Sequence, residues 1–328
     1  MPPTVRGSLA ALLVMLLAPL TALAQSGPEL LLKPWDKKQF IEMRNDALFL
    51  GNGEFEDEEL GGADFKLTTY ESEGRIRILP GNIASPRIGY DVTYLDIDTD
   101  LPAFPDHLTE QAISAGLLLA QFESGWIMGV TLGIGYAGEG AYGNSDAIYY
   151  KGTLVFGREI DENNALGIVI DYDANRVVFP DVPLPGFAWA GRLPKRNLRL
   201  TLGFPVNSVI WDINKQTRAE FTYTFTDSFD ARVTHDISPH WSLFGRAETR
   251  YNGFHLPELE ETNDRLFFEQ RRVEGGVVWT PAKFVSVSAA GGLAFGSEFS
   301  VGWDMRDIDN VLEVSNELYF RLGAELRF

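Results

Sequence analysis

The sequence contains no cysteine. That excludes a small secreted domain stapled by disulfides, and with it any thiolate metal site. Beyond its first two dozen residues the chain also lacks any apolar run approaching the ~20 residues that a membrane-crossing helix needs. Gly116 to Ala120 is typical of the runs it has. Insertion into a membrane would therefore have to be by a closed barrel, because only helices and barrels satisfy every backbone polar group in lipid. Positive charge is scarce as well: 28 Lys and Arg stand against 46 Asp and Glu, a net charge of −18. Nucleic acid and anionic lipid headgroups both require clustered Lys and Arg, so neither is expected as the main partner.

What is present begins with a leader. Arg6 precedes an apolar stretch from Leu9 to Leu20, and Ala22-Leu23-Ala24 follows immediately before Gln25. A positive start, a short apolar segment and a small-x-small site make a secretory signal peptide over residues 1–24, cleaved after Ala24. The apolar stretch is too short to anchor the chain as a helix. Loss of Arg6 with the leader makes the exported chain slightly more acidic still.

The dominant pattern after the leader is alternation. At the carboxyl end Leu318, Phe320, Leu322, Ala324, Leu326 and Phe328 alternate with Tyr319, Arg321, Gly323, Glu325 and Arg327. From Trp126, the series Met128, Val130, Leu132, Ile134 and Tyr136 interleaves with Gly129, Thr131, Gly133 and Gly135. Trp241 to Tyr251 and Val285 to Phe295 repeat the theme, and weaker versions cover seven further stretches between Arg87 and Trp279. One face is an apolar belt and the other is small, polar or charged, which is the period of a strand with one side in lipid and the other in a lumen. Trp126 and Tyr136, and again Trp241 and Tyr251, share a face ten residues apart. That spacing is about 33 Å along a strand, or about 25 Å across a membrane at a tilt near 40°, the height between the aromatic girdles of an outer-membrane barrel. A soluble β-sandwich also alternates, but its outward face must be polar.

The expected fold is thus all-β: a transmembrane antiparallel up-and-down β-barrel of about 12 strands, with about 10 to about 14 compatible. Residues 61–328 form the barrel in this reading, and residues 25–60 are a periplasmic lead-in, with a short helix around Lys37 to Arg44, or a small plug. Asp64 to Leu79 reads as one long strand or as a hairpin, and Asn207 to Thr217 is equally ambiguous. Short turns such as Glu123-Ser124-Gly125 alternate with long loops, the longest being Asp173 to Arg196 with four prolines and Gly296 to Glu317.

Phe328 at the end of the chain, with Leu326, Leu322 and Phe320 on its face, resembles the assembly signal that outer-membrane barrels present to the barrel-insertion machinery. From Asp64 to Phe328 the chain resembles uncharacterised outer-membrane β-barrel families known only as domains of unknown function. The resemblance implies location in the cell outer membrane, with outer-membrane lipid and the barrel-assembly machinery as partners. It brings no activity with it.

Candidate chemistry is sparse. His107, His235, His240 and His255 lie in or beside turns and loops and form no Ser, His and acid pattern at local spacing, so no catalytic residue is assigned. Asp96, Asp98 and Asp100 begin like a calcium loop, but Leu101 stands where the turn needs glycine and His107 where a bidentate glutamate is needed. No metal or cofactor is expected. The charges that alternation places in the lumen are Lys151, Arg246, Glu248, Arg250, Arg321, Glu325 and Arg327, together with Asp171, Glu220 and Arg232. Opposite signs two residues apart, as in Arg246 and Glu248 or Glu325 and Arg327, suit either a salt-bridge lattice filling a narrow barrel or the charged wall of a solute pathway. The expected function is a small passive channel or uptake pore without enzymatic activity. A structural or adhesion barrel with acidic external loops is the alternative, and a lipid-acting enzyme a more distant one.

Overall fold

The computed structural model describes residues 26–32, 39–56, 62–79, 82, 84–101, 104–140, 142–204, 206–225, 228–257, 259 and 264–328; the expected signal peptide, residues 1–24, lies outside them. They form one closed antiparallel barrel of sixteen strands. In chain order these are β1 (Ile41–Leu50, continued by Gly53–Glu54), β2 (Asp64–Arg77), β3 (Arg87–Thr99), β4 (His107–Gln121), β5 (Trp126–Glu139) and β6 (Ile148–Asp161). Then come β7 (Asn164–Asp173), β8 (Leu184–Leu193), β9 (Leu198–Phe204), β10 (Val206–Asp212) and β11 (Thr217–Thr224). The circuit finishes with β12 (Ser228–Ser238), β13 (Trp241–Phe254), β14 (Arg265–Ala282), β15 (Val285–Asp304) and β16 (Asp307–Val314, continued by Glu317–Arg327). Every strand pairs with its chain neighbours, and β1 closes the ring against β16 in a ladder from Glu42↔Arg327 to Leu50↔Tyr319. Closure leaves no free edge among the described strands, the condition for pairing backbone groups in lipid.

Sixteen strands replace the expected twelve because four were hidden in the sequence. Ile41–Leu50, within the expected lead-in, is a strand, so the barrel starts at Ile41 rather than at residue 61; of the helix expected around Lys37 to Arg44, Ile41 to Arg44 are strand and Lys37 and Lys38 lie outside the described residues. Asn45 lies on its outer face and breaks the apolar run there, where it accepts a hydrogen bond from Ser72 Oγ at 2.8 Å on β2. Leu184–Leu193 lies inside the supposed long loop from Asp173 to Arg196. Pro185 pairs with Ile170 at its start, and small inward residues thin out its pattern. The ambiguous stretch Asn207 to Thr217 divides into β10, a turn, and the start of β11; the turn is set by Asn214 Oδ1, which accepts from the backbone N–H of Gln216 and of Thr217, both at 2.8 Å. Ser228–Ser238 is the fourth. Asp64–Arg77 is one strand, not a hairpin. The supposed loop Gly296 to Glu317 is mostly the upper part of β15 and β16, joined by a tight turn at Met305 and Arg306.

Side-chain facing follows the alternation. Leu132 and Leu318 are 67% and 73% exposed on the outer face, while Thr131 and Arg321 beside them are buried on the inner face. Rings collect at the end where β1 begins and β16 ends, here the lower rim: Trp241 stacks on Trp279 at 6.1 Å, and Phe328 on Phe284 at 5.0 Å. Tyr136 departs from its expected girdle position. It is buried beneath Tyr142, with ring centroids 5.1 Å apart, and its hydroxyl donates to the Glu139 carbonyl at 2.9 Å. The upper connection therefore folds over it, and alternation cannot anticipate that cover.

The wall is of very unequal height. β14 and β15 have 18 and 20 residues, whereas β9, β10 and β11 have 7, 7 and 8. The tall strands carry apolar side chains on the inner side of their upper parts: Leu266, Phe268 and Phe299 pack with Phe254 of β13 and with Phe65, Leu95, Ile97 and Leu108 in a dry cluster. Burial of that surface holds the tall strands bent over the lumen, and polar contacts pin them on the far side. Met305 N–H donates to the Val177 carbonyl at 2.9 Å and His255 N–H to the Ala137 carbonyl at 2.9 Å. The Arg265 guanidinium donates to the carbonyls of Asn175 at 3.2 Å and Arg176 at 3.1 Å. The upper end is thereby roofed.

Candidate lumen site

Beneath the roof the inward side chains divide into a charged lattice and a cavity. The lattice centres on Glu248 of β13. Its carboxylate lies 2.8 Å from Arg246, 3.0 Å from Arg250 and 3.5 Å from Arg272, and accepts a hydrogen bond from Arg321. Glu274 sits 3.1 Å from Arg321 and accepts from the Tyr319 hydroxyl at 2.8 Å; Asp230 accepts from Arg246 Nε at 3.0 Å. Glu71 of β2 reaches Arg272 at 3.1 Å and Arg250 at 3.4 Å, over the inner faces of the strands between them. Four guanidiniums and four carboxylates thus neutralise one another. Arg246, Glu248, Arg272 and Arg321 are all but inaccessible to solvent. The expected pairing of Arg246 with Glu248 along one strand is present, but most of the lattice joins different strands.

The cavity, of about 300 Å3, occupies the side bounded by β1–β4, β6, β7 and the top of β13. Seven carboxylates line it, against four cationic side chains. Lys151 meets Asp173 at 3.1 Å; Arg176 meets Asp171 at 2.7 Å, and Thr153 donates to that same carboxylate at 2.7 Å. Glu110 accepts from Asn175 at 3.0 Å and Asn252 at 2.8 Å. Arg250 stands between lattice and cavity, about a quarter exposed.

Part of the amino-terminal segment lies inside the barrel. Ser26 to Pro28 and the short helix α1 (Glu29–Leu32) rest against the inner wall of β3–β6. Arg87 donates to the carbonyls of Leu30 at 2.9 Å and Leu31 at 3.2 Å; Lys151 donates to Ser26 Oγ at 3.2 Å, and Ser114 Oγ donates to the Ser26 carbonyl. Leu30 and Leu31 are buried where the wall is bare of side chains: a Cβ on Gly116 would stand 3.2 Å from Leu30 Cδ2, and one on Gly129 3.0 Å from Leu31 Cδ1. Alternation puts Gly129 on the lumen side, as space without a side chain, but does not say what fills it.

The remaining sequence-selected charges lie apart. Glu325 and Arg327 pair near the lower rim, where Arg327 is half exposed and 3.7 Å from Glu42. Phe328 lies on that rim against Phe284 and Phe40. His107 stacks on Tyr94 at 6.2 Å, His235 Nδ1 is 3.0 Å from Thr217 Oγ1, and His240 Nδ1 is 2.9 Å from the Thr280 carbonyl. His255 sits under the roof beside Arg265, and burial first, then that cation, lowers its pKa to about 4. Among the described residues no three His, Asp or Glu side chains are grouped as metal ligands. Glu71, Asp230, Arg272 and Glu274 in the lattice, and Asp91, Glu110 and Asp173 in the cavity, were not singled out in the sequence, although most occupy polar positions of alternating segments.

No known protein family matches the sequence, and no curated protein matches it. Solved structures resemble the fold at low identity. The toluene transporter TodX of Pseudomonas putida aligns at 10% identity over 98% of this chain and 97% of its own, with a TM-score of 0.43. The outer membrane protein Omp33 of Acinetobacter baumannii aligns at 8% identity over 89% and 100%, with a TM-score of 0.34. A FadL homologue of Pseudomonas aeruginosa aligns at 11% over 88% and 90%, with a TM-score of 0.36. The closed barrel follows from the strand pairing itself, and these likenesses add no solute or mechanism to it.

Proposed function

We propose that the protein is a non-enzymatic channel of the cell outer membrane that admits small polar solutes. The observation that carries this reading is the polar cavity of about 300 Å3 inside a closed sixteen-stranded wall with an apolar outer face. A barrel of this circumference exceeds what side chains alone must fill, and here the lattice fills one side while the other keeps space for water and solute. The carboxylate excess on the cavity wall favours cations over anions, as rings of acidic side chains do in cation channels. The segment from Ser26 to Leu31 narrows the same space and acts as a plug. The lower rim faces the periplasm, and Phe328 there serves the barrel-assembly machinery as its recognition end. Deleting Phe328 should slow insertion in cells while leaving folding into micelles nearly unchanged; insertion at the wild-type rate would refute that role. Planar-bilayer recording tests the channel: the purified folded protein should give discrete, cation-preferring conductance, and traces indistinguishable from protein-free lipid would overturn the reading.

A further inference from the structure

The low side of the wall is too short for the membrane it stands in. A strand needs about 9–11 residues to cross the apolar band. β9 and β10 have 7 each, with Phe204 and Val206 separated by a single residue at the top. At about 3.3 Å per residue and a tilt near 40°, seven residues span about 18 Å of a band about 25 Å tall. On the outer face of β10, Val209 and Trp211 are followed upward by Asn207, whose side chain accepts from the Gly203 N–H at 3.2 Å. On β5, by contrast, the outer face stays apolar from Trp126 through Ile134.

The cavity extends to this low side. Val206, Leu184 and Phe225, at the upper ends of β10, β8 and β11, line it, and each is partly exposed. Above them runs a lintel of stacked groups. Phe225 packs on Phe204 at 4.8 Å and on Phe179 at 6.3 Å, and the Arg306 guanidinium covers the Phe179 ring at 3.8 Å. Phe179 and Asp181 hold this connection at φ of +55° and +57°. Left-handed backbone at residues with a side chain is strained and persists only where the surroundings enforce it; here the Phe179 N–H donates to Asp304 at 3.4 Å and Tyr172 donates to Asp181 at 2.8 Å. Straight upward access is blocked by the roof, and the plug occupies the opposite wall. On the low side the cavity wall is apolar, formed by Leu184, Val206 and Phe225.

We propose that the cavity opens laterally over β9–β11 into the outer part of the bilayer, and that its solute is an amphipathic amine. The apolar tail would lie in lipid against Leu184, Val206 and Phe225, and the ammonium head among the carboxylates of the cavity wall. This rests on the channel reading and adds an apolar tail to its polar solute, since a solute entering from lipid must carry an apolar part and the cavity's excess negative charge selects a cationic head.

The absence of native cysteine makes a clean test available. A nitroxide is attached at Val206→Cys in the full-length protein inserted in phosphatidylcholine vesicles, with Leu132→Cys as the lipid reference and Thr93→Cys as the cavity reference. Dissolved oxygen concentrates in lipid, and a nickel chelate stays in water. The label at 206 should show oxygen accessibility near that of 132 although Val206 lines the cavity; nickel accessibility like that of 93 would overturn the lateral opening. Spin–spin broadening that disappears on dilution with unlabelled protein would overturn it too, by placing a second copy over the low wall. Octylammonium should slow the label at 206 severalfold and octanoate should not, and the combined Asp91→Asn and Glu110→Gln change should remove the response. An equal response to both amphiphiles, or to neither, would overturn the amine assignment. Bilayer conductance is measured separately on the unlabelled protein, so a conducting protein with a water-exposed 206 keeps the channel and loses only the lateral opening.

Discussion

Replacing Glu248 by glutamine removes the charge that four arginines share while keeping the side chain's shape. In the native lattice Arg246, Arg250, Arg272 and Arg321 are matched by Glu248, Glu71, Glu274 and Asp230; the substitution leaves four cations facing three anions. Three of the four guanidiniums are almost completely buried, so water cannot compensate. Breaking a buried ion pair by removing one partner costs about 3–5 kcal/mol, because it strands a charge. The same change in an exposed pair costs about 0–1 kcal/mol. Glu325→Gln, opposite the half-exposed Arg327, provides that internal comparison. The assay is reversible urea unfolding of the barrel in lipid vesicles, followed by tryptophan fluorescence. Glu248→Gln should lower stability by about 3–5 kcal/mol and Glu325→Gln by under about 1 kcal/mol. If Glu248→Gln cost no more than Glu325→Gln, the guanidiniums would have to be hydrated, and the argument that one side of the lumen is closed would fail.

Three further outcomes are expected. Leu132→Arg places a cation on the lipid face and should cost about 2–4 kcal/mol in the same unfolding assay, whereas Thr93→Arg on the cavity wall should cost much less; equal losses would mean the faces are reversed. Gly129→Val drives a side chain into the space of Leu31, where a Cβ alone comes within 3.0 Å; displacement of the plug should raise single-channel conductance, and an unchanged conductance would separate the segment from the conducting path. His255 has a folded pKa of about 4 against an ordinary 6.5, so the unfolded chain takes up its proton first. Its contribution to stability is complete above about pH 6.5 and is lost as pH falls towards 4; the difference in stability between wild type and His255→Gln should therefore shrink across that window, and a pH-independent difference would contradict the buried neutral imidazole.

Much of the barrel is written in the period of the sequence. Alternation from Leu318 to Phe328 and from Trp126 to Ile134 sets strand, facing and lipid contact at once, because a pleated strand sends neighbouring side chains to opposite faces regardless of what they meet. The same logic placed Arg246, Glu248, Arg321 and Lys151 on the inner face. Pattern fails where one face is not uniformly apolar: Asn45 on β1, Pro185 on β8, Asn207 on β10 and His235 on β12 each blur the signal, and these four strands escape the count. It fails also for Tyr136, whose position on the outer parity does not reveal the connection folded over it. Which charges meet was decided only by closure. Glu71 and Arg272 lie two hundred residues apart, and they touch because joining β1 to β16 curls the sheet until inner faces of distant strands share one space. The unequal heights of the wall, the roof formed by β14 and β15, and the seat of Leu30 and Leu31 between bare glycines belong to that same enclosed volume. Local residue order fixes the face on which a side chain stands, and the closed surface fixes what it finds there.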